Sequence, residues 1–316
     1  MSQRHMLFFA SFIAAGLVGC SSSATPSGPT PLAISRMYIS DSNATLVDWY
    51  ALPVSNTSTT AGSMGAANAL NGTIGLAFDA LGNLFAANIS NGTVTIYAHP
   101  ISTTSQPVAT LHVPGSPCGV AIDPTSGNLW VSDNAGFHVN EFVGPFSGTS
   151  TPTPTATISA GLTNTPCYMT FDAAGDLFVS NVNGTTVVAY KHPLSNGMAA
   201  SFTLSGMFDP AGMAFDAAGN LYVSSCAAVP PSPLYKFNTP VNASTTPSAT
   251  DPGANTTVNC ADGATLDPSG NFWVGDFNGN FLEFPVGSAT FTAMAPSLTL
   301  TPGAPFSNGY DVKFGP

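Results

Sequence analysis

Apolar and polar residues alternate in short runs along most of this chain, and the runs are separated by Gly-Asn and Asp-Gly punctuation. The stretch GLAFDALGNLFAANISNGTVTIYAHP (75–100) shows the pattern in full. An alternating segment ends in Asp and a Gly-Asn turn follows. A second segment carries an aromatic residue, and a third closes on aromatic-x-x-Pro. Period-2 alternation with β-branched and aromatic enrichment predicts half-buried β-strands, and the turn residues predict antiparallel hairpins. The same unit returns at 119–145 (GVAIDPTSGNLWVSDNAGFHVNEFVGP) and 168–193 (YMTFDAAGDLFVSNVNGTTVVAYKHP), and again from Gly212 and Gly263. Its turn aspartates are Asp79, Asp123, Asp172, Asp216 and Asp267, spaced 44, 49, 44 and 51 residues apart. Short β-rich segments between units (PVATLHV, TATISA, ASFTL, SLTLT) supply a fourth, outer strand to each meander.

The two ends of the repeat region each hold part of one more unit. Residues 37–53 match the second and third strands but lack the first, whereas 309–314 (GYDVKF) match the first strand alone. Joined, they complete a sixth sheet and remove the two unpaired edges that an open ring would leave. The expectation is an all-β fold: a six-bladed β-propeller of four-stranded antiparallel blades over 34–316, its first blade completed by the C-terminal strand. Two aromatic columns support the register. Tyr38, Phe85, Trp130, Phe178, Tyr222 and Trp273 share the second-strand position. Tyr50, Tyr97, Phe142, Tyr190, Phe237 and Phe284 share the third. Aromatics repeated in every blade are read as blade-to-blade core rather than as a glycan-stacking surface.

The rhythm G-x-A-h-D…G-N-L-aromatic-V-S-D/N, clearest from Gly119 to Asp133, resembles that of NHL-repeat propellers. More loosely it is similar to the six-bladed TolB-like and gluconolactonase-type families. The gluconolactonase resemblance implies a divalent metal held at the channel mouth by a Glu, Asn and Asp set. The glutamates here, Glu141 and Glu283, adjoin the third-strand aromatics Phe142 and Phe284, away from that position. Streptogramin lyases, a further propeller class, use histidine with a metal ion. Of the histidines, His5 precedes the repeats, His99 and His192 occupy the same x of aromatic-x-x-Pro, and His112 falls on an outer strand. His138, five residues after Asp133, is the one expected on the loop-rich near face, where second strands join third strands and blade joins blade.

Composition narrows the function classes. Only 7% of residues are charged, against 44% hydrophobic and 10% aromatic, with five Lys+Arg and a net charge of −11. So few cations exclude a phosphate-tracking groove for nucleic acid and a basic membrane patch. No Ser-His-Asp motif, phosphate-binding Gly loop or Cys-x-x-Cys pair is present.

The first residues read as an address. Arg4 and His5 precede an apolar run from Met6 to Val18 that ends Leu17-Val18-Gly19-Cys20. This has the layout of a signal peptide (1–19) whose end resembles a bacterial lipobox, with Cys20 diacylated and becoming the new N-terminus. Residues 20–33, rich in Ser, Thr and Pro, then form a flexible tether. The expected location is the cell envelope, anchored by lipid in the outer membrane or at the cell surface, as a monomer.

Of the remaining cysteines, Cys118 and Cys167 occupy equivalent positions, each five residues before its turn aspartate. Cys226 follows a second strand and Cys260 enters the next blade. Four cysteines allow three pairings; position favours Cys118–Cys167 and Cys226–Cys260, each joining neighbouring blades, over a thiolate metal site. The residue after each second strand forms a further series on the near face: Asp41, Asn88, Asp133, Asn181, Ser225 and Asp276. These, with His138, are the candidate channel-mouth binding residues. They could offer oxygen ligands to Ca²⁺, or each could cap its own loop, which is the reading taken. The irregular near face, widened by the insertion Ala227 to Pro233, is the expected site of binding. The function expected is non-enzymatic binding of an envelope protein, a glycan or a small molecule. The alternative is a lactonase-like or streptogramin-lyase-like metal-dependent hydrolase or lyase at the same mouth.

Overall fold

The computed structural model describes residues 32–227, 232–251, 258–286 and 294–316. The signal peptide, Cys20 and most of the tether lie outside the described residues, as does the middle of the 227–233 insertion. Among the described residues no helix is long and apolar enough to cross a membrane.

Six antiparallel meanders form the molecule. Blade 1 has the order Asp311–Gly315, Arg36–Asp41, Leu46–Ala51, Gly62–Met64, so the C-terminal strand is its innermost member. The closing register pairs Met37 with Phe314 and Ile39 with Val312. The inner strands of blades 2 to 6 are Thr73–Phe78, Pro117–Ile122, Thr165–Phe171, Pro210–Phe215 and Ala261–Leu266. Each neighbours the next in chain order, and Asp311–Gly315 lies between the last and the first. Blade 2 carries one strand more than the repeat predicts. Gly148–Ser150, in the third-to-fourth strand connection of blade 3, pairs in parallel with Ala109–His112. That outer strand is a sheet edge, and its free backbone groups accept the passing segment.

Both aromatic columns are buried, none of the twelve rings more than 4% exposed. Each packs at a blade junction: the clusters around Tyr38, Trp130 and Phe178 each draw residues from two neighbouring blades. The five turn aspartates hold their hairpins as read from sequence; Asp79, for example, accepts the Leu81 and Asn83 N–H groups, both at 2.9 Å. A serine one position before the end of the second strand fastens alternate blades. Ser40, Ser132 and Ser224 donate to the inner-strand carbonyls of Ile74, Cys167 and Asp262 in the following blade. Both expected disulfides are formed, Cys118–Cys167 and Cys226–Cys260, and each crosses a blade boundary. Such bonds belong to an oxidising, exported compartment.

Candidate functional site

Each inner strand contributes three residues to the axis, and the repeat makes them comparable. The ring nearest the near face is Ile74, Cys118, Cys167, Ala211, Asp262 and Tyr310. One residue deeper come Gly75, Gly119, Tyr168, Gly212, Gly263 and Asp311. Two further on are Ala77, Ala121, Thr170, Ala214, Thr265 and Lys313. Four glycines at the second level let neighbouring inner strands approach closely: a Cβ on Gly75 would stand 2.6 Å from the Cys118 carbonyl oxygen. The departures from the repeat are Tyr168 and Asp311 at this waist, Asp262 above it and Lys313 below.

Tyr168 crosses the axis. Its hydroxyl donates to the Tyr310 carbonyl at 3.1 Å, from blade 4 to the diametrically opposite closing strand. Of the cavities along the axis, the near one has Tyr168 in its lining and the far one does not. The near one, about 200 Å³, is bordered by Tyr168, Tyr310, Phe277, Asp209 and Asp262, with Cys118–Cys167 in its wall. Phe277 and Tyr310 meet edge to face at 5.2 Å. Burial holds the Asp262 carboxyl well above the usual carboxylate range, and the nearby carboxylates of Asp209 and Asp311 push it the same way. Asp209 is raised as well, by burial, against the Asn183 N–H that it accepts. Among the described residues neither forms an ion pair. Burial drives the Tyr168 hydroxyl well above its ordinary value, with the Asp262 and Asp311 carboxylates adding to the effect.

The far cavity is a funnel of about 540 Å³, with Ala, Val, Met, Phe and Leu side chains in its wall and Lys313 at the level of the small residues. Lys313 Nζ donates to Asp311 Oδ1 at 2.9 Å and to the Ala264 carbonyl at 3.3 Å. Asp311, also raised by burial although Lys313 opposes this, accepts the Leu76 N–H of blade 2 at 2.9 Å. The pair thus pins the closing strand to blades on either side.

These six residues fall within the last two positions of the second strands, not after them, and stand around the near face but outside the axial cavity. Each connects its loop to the segment entering its own blade. Asp41 accepts the Asn43 and Ala44 N–H groups at 2.9 Å and that of Asn308 at 3.1 Å. Asn88 accepts from Asn71 N–H at 3.1 Å, and Asp133 from Ser116 N–H at 2.8 Å. Asn181 and Ser225 donate to the carbonyls of Gly161 and Phe208. Asp276 accepts from Asn259 and Asn278 N–H groups at 3.2 and 3.1 Å; burial pushes it up to about 6. His138 and Asp133 are brought together by strand register, Nε2 to Oδ2 at 3.4 Å, on the rim of blade 3. Glu141 is bonded to Asn128 and Thr155, and Glu283 to Asn271 and Ser297, in the outer half of their blades. These carboxylates do not converge, so the Glu–Asn–Asp metal set of gluconolactonase-type propellers is not assembled from them. The grouped sulfurs of Cys226 and Cys260 beside Asp262 are joined to each other, which removes them as thiolate ligands.

Sequence reasoning passed over Asp209, Asp262, Tyr168, Tyr310 and Asp311. For Tyr168 and Asp311 the signal was there: laying the repeats in register marks the two positions where Gly becomes Tyr or Asp.

The fold and this axial arrangement define the class: a six-bladed β-propeller whose axis is bridged by one side chain. No protein-family model matches the chain, and no curated protein does. Solved structures of the same shape include a candidate 6-phosphogluconolactonase from Bacteroides fragilis, with TM-score 0.60 and 15% identity over 85% of this chain and 80% of that one. A protein of unknown function from Bacteroides caccae reaches 0.65 at 10% identity, covering 89% and 98%. A candidate 6-phosphogluconolactonase from Bacteroides uniformis reaches 0.61 at 12%, covering 88% and 87%. At such identities the likeness concerns the fold alone.

Proposed function

We propose that this is an exported, lipid-anchored binding propeller whose near cavity takes a small ligand bearing a positively charged group. The observation that carries the reading is the near cavity itself. Two acidic side chains without a cationic partner among the described residues, Asp209 and Asp262, border about 200 Å³ together with Tyr168, Tyr310 and Phe277. A carboxylate beside aromatic rings in a desolvated cavity is the chemistry that holds an organic ammonium group. Catalysis has less support, because the one His–Asp pair on the near face sits on the rim and not in the cavity.

The test is calorimetric titration with tetramethylammonium, with 3,3-dimethyl-1-butanol as the uncharged comparison. Binding of the cation at least tenfold tighter than the alcohol is expected, with proton release as Asp262 ionises, and Asp262→Asn should abolish the difference. Equal weak binding of both, or an unaffected variant, counts against the reading. A second reading, the metal-dependent lactonase-like enzyme, draws on the names of the Bacteroides fragilis and Bacteroides uniformis structures. Here a hard cation would fall to Asp209 and Asp262. Ca²⁺ that raises the melting temperature and displaces tetramethylammonium would favour it.

A further inference from the structure

The larger axial cavity is the far one, and it has the opposite chemistry to the proposed ammonium site. We propose that the far funnel is a second, independent ligand site, for a small organic monoanion with an apolar body. Its wall is made by the far ends of the inner strands, with Val120, Met169, Met213 and Phe215 among the apolar side chains. At one level of the repeat, five blades place Ala or Thr and the closing strand places Lys313. One of only five Lys+Arg in the chain therefore opens onto an apolar cavity of about 540 Å³. A concave space of that size, lined mainly by apolar side chains and holding one cationic anchor, has the form of a small-molecule site.

Pinning the closing strand does not exhaust the ammonium group. Two of its three hydrogens go to Asp311 and Ala264; the third has no acceptor among the described residues. The side chain keeps 24% of its surface. A carboxylate placed there receives a charge-assisted hydrogen bond in a low-dielectric pocket while its chain replaces water along the wall. Asp311 remains paired through the backbone N–H groups of Leu76 and Val312. Two carboxylates, Asp172 and Asp216, also line the funnel. Both are engaged by the N–H groups of their own turns. With net charge −11 on the protein, they oppose polyanions, so the proposed ligand carries a single negative charge, received by Lys313 alone.

The probe is octanoate, compared with octanol and octylammonium by titration calorimetry and by NMR of carboxyl-labelled octanoate. Saturable binding of octanoate about tenfold tighter than octanol is expected. Thr170→Phe fills the funnel from the wall opposite Lys313 without touching the Lys313–Asp311 pair. It should weaken octanoate at least tenfold with little change in melting temperature. Lys313→Met should remove the preference for octanoate over octanol, and Lys313→Arg should retain it. Should Lys313→Met not fold, Thr170→Phe and the three-probe comparison decide. The proposal is overturned by no saturable octanoate binding at millimolar concentration, by octylammonium binding tighter, or by Thr170→Phe binding octanoate like the parent protein. Loss of tetramethylammonium binding in Asp262→Asn bears only on the near cavity, so the two sites fail or stand separately.

Discussion

Gly119 shows how much a single atom matters at the waist. A Cβ there would lie inside the carbonyl group of Cys167 on the next blade, and the backbone on both sides is fixed by strand pairing. Gly119→Ala should therefore destabilise the protein by about 1–3 kcal/mol, lowering the melting temperature by roughly 2–6 °C. Gly303→Ala, with open space around it, serves as the control and should leave the melting temperature unchanged. Residue-scale features that repeat were legible beforehand: the turn aspartates, the aromatic columns and the Cys118–Cys167 pairing each follow from equivalent positions. The acidic and aromatic residues of the near cavity were not singled out. Asp209, Asp262 and Tyr310 come from different blades, and only closure of the ring brings them to one place.

At the scale of elements, the closing strand is the one whose loss affects the whole ring. Asp311–Gly315 pairs with Arg36–Asp41, while its Asp311 and Lys313 side chains reach blades 2 and 6. Removing residues 309–316 exposes the edge of Arg36–Asp41 and leaves the Leu76 N–H without its acceptor. The deletion should lower the melting temperature markedly and promote aggregation through the bare edge. A truncated protein that melts like the full chain would contradict closure by this strand. The sequence indicated this element through the matching halves at the two ends. It did not indicate Gly148–Ser150, a short run without alternation, which becomes a strand only because an edge passes within reach.

For the whole molecule, buried carboxyl groups set the response to pH. Asp48, Asp209, Asp262, Asp276 and Asp311 are all raised, chiefly by burial. Asp123 and Asp216 are lowered by the hydrogen bonds of their turns, which outweigh the burial that opposes them. A raised group keeps its proton in the folded state after the unfolded chain has lost it. Its contribution to stability is present below about pH 4 and declines as pH rises, through about 6 for Asp276. The two lowered groups act in the opposite sense, their contribution being lost as pH falls below the ordinary carboxylate value. The raised groups outnumber them, and fewer net negative charges remain at lower pH. The melting temperature should be higher at pH 5 than at pH 7.5, and Asp276→Asn should flatten that slope; a rise toward pH 7.5 would contradict this account. The propeller itself, its six blades and their closure were determined by sequence alone, because strand alternation and turn chemistry are local and the repeat writes them out many times. Tertiary structure decided where the cavities lie and what they contain, because a channel exists only once six inner strands converge. Closure set Tyr168 across the axis, left Asp262 buried on one side and opened Lys313 onto the other.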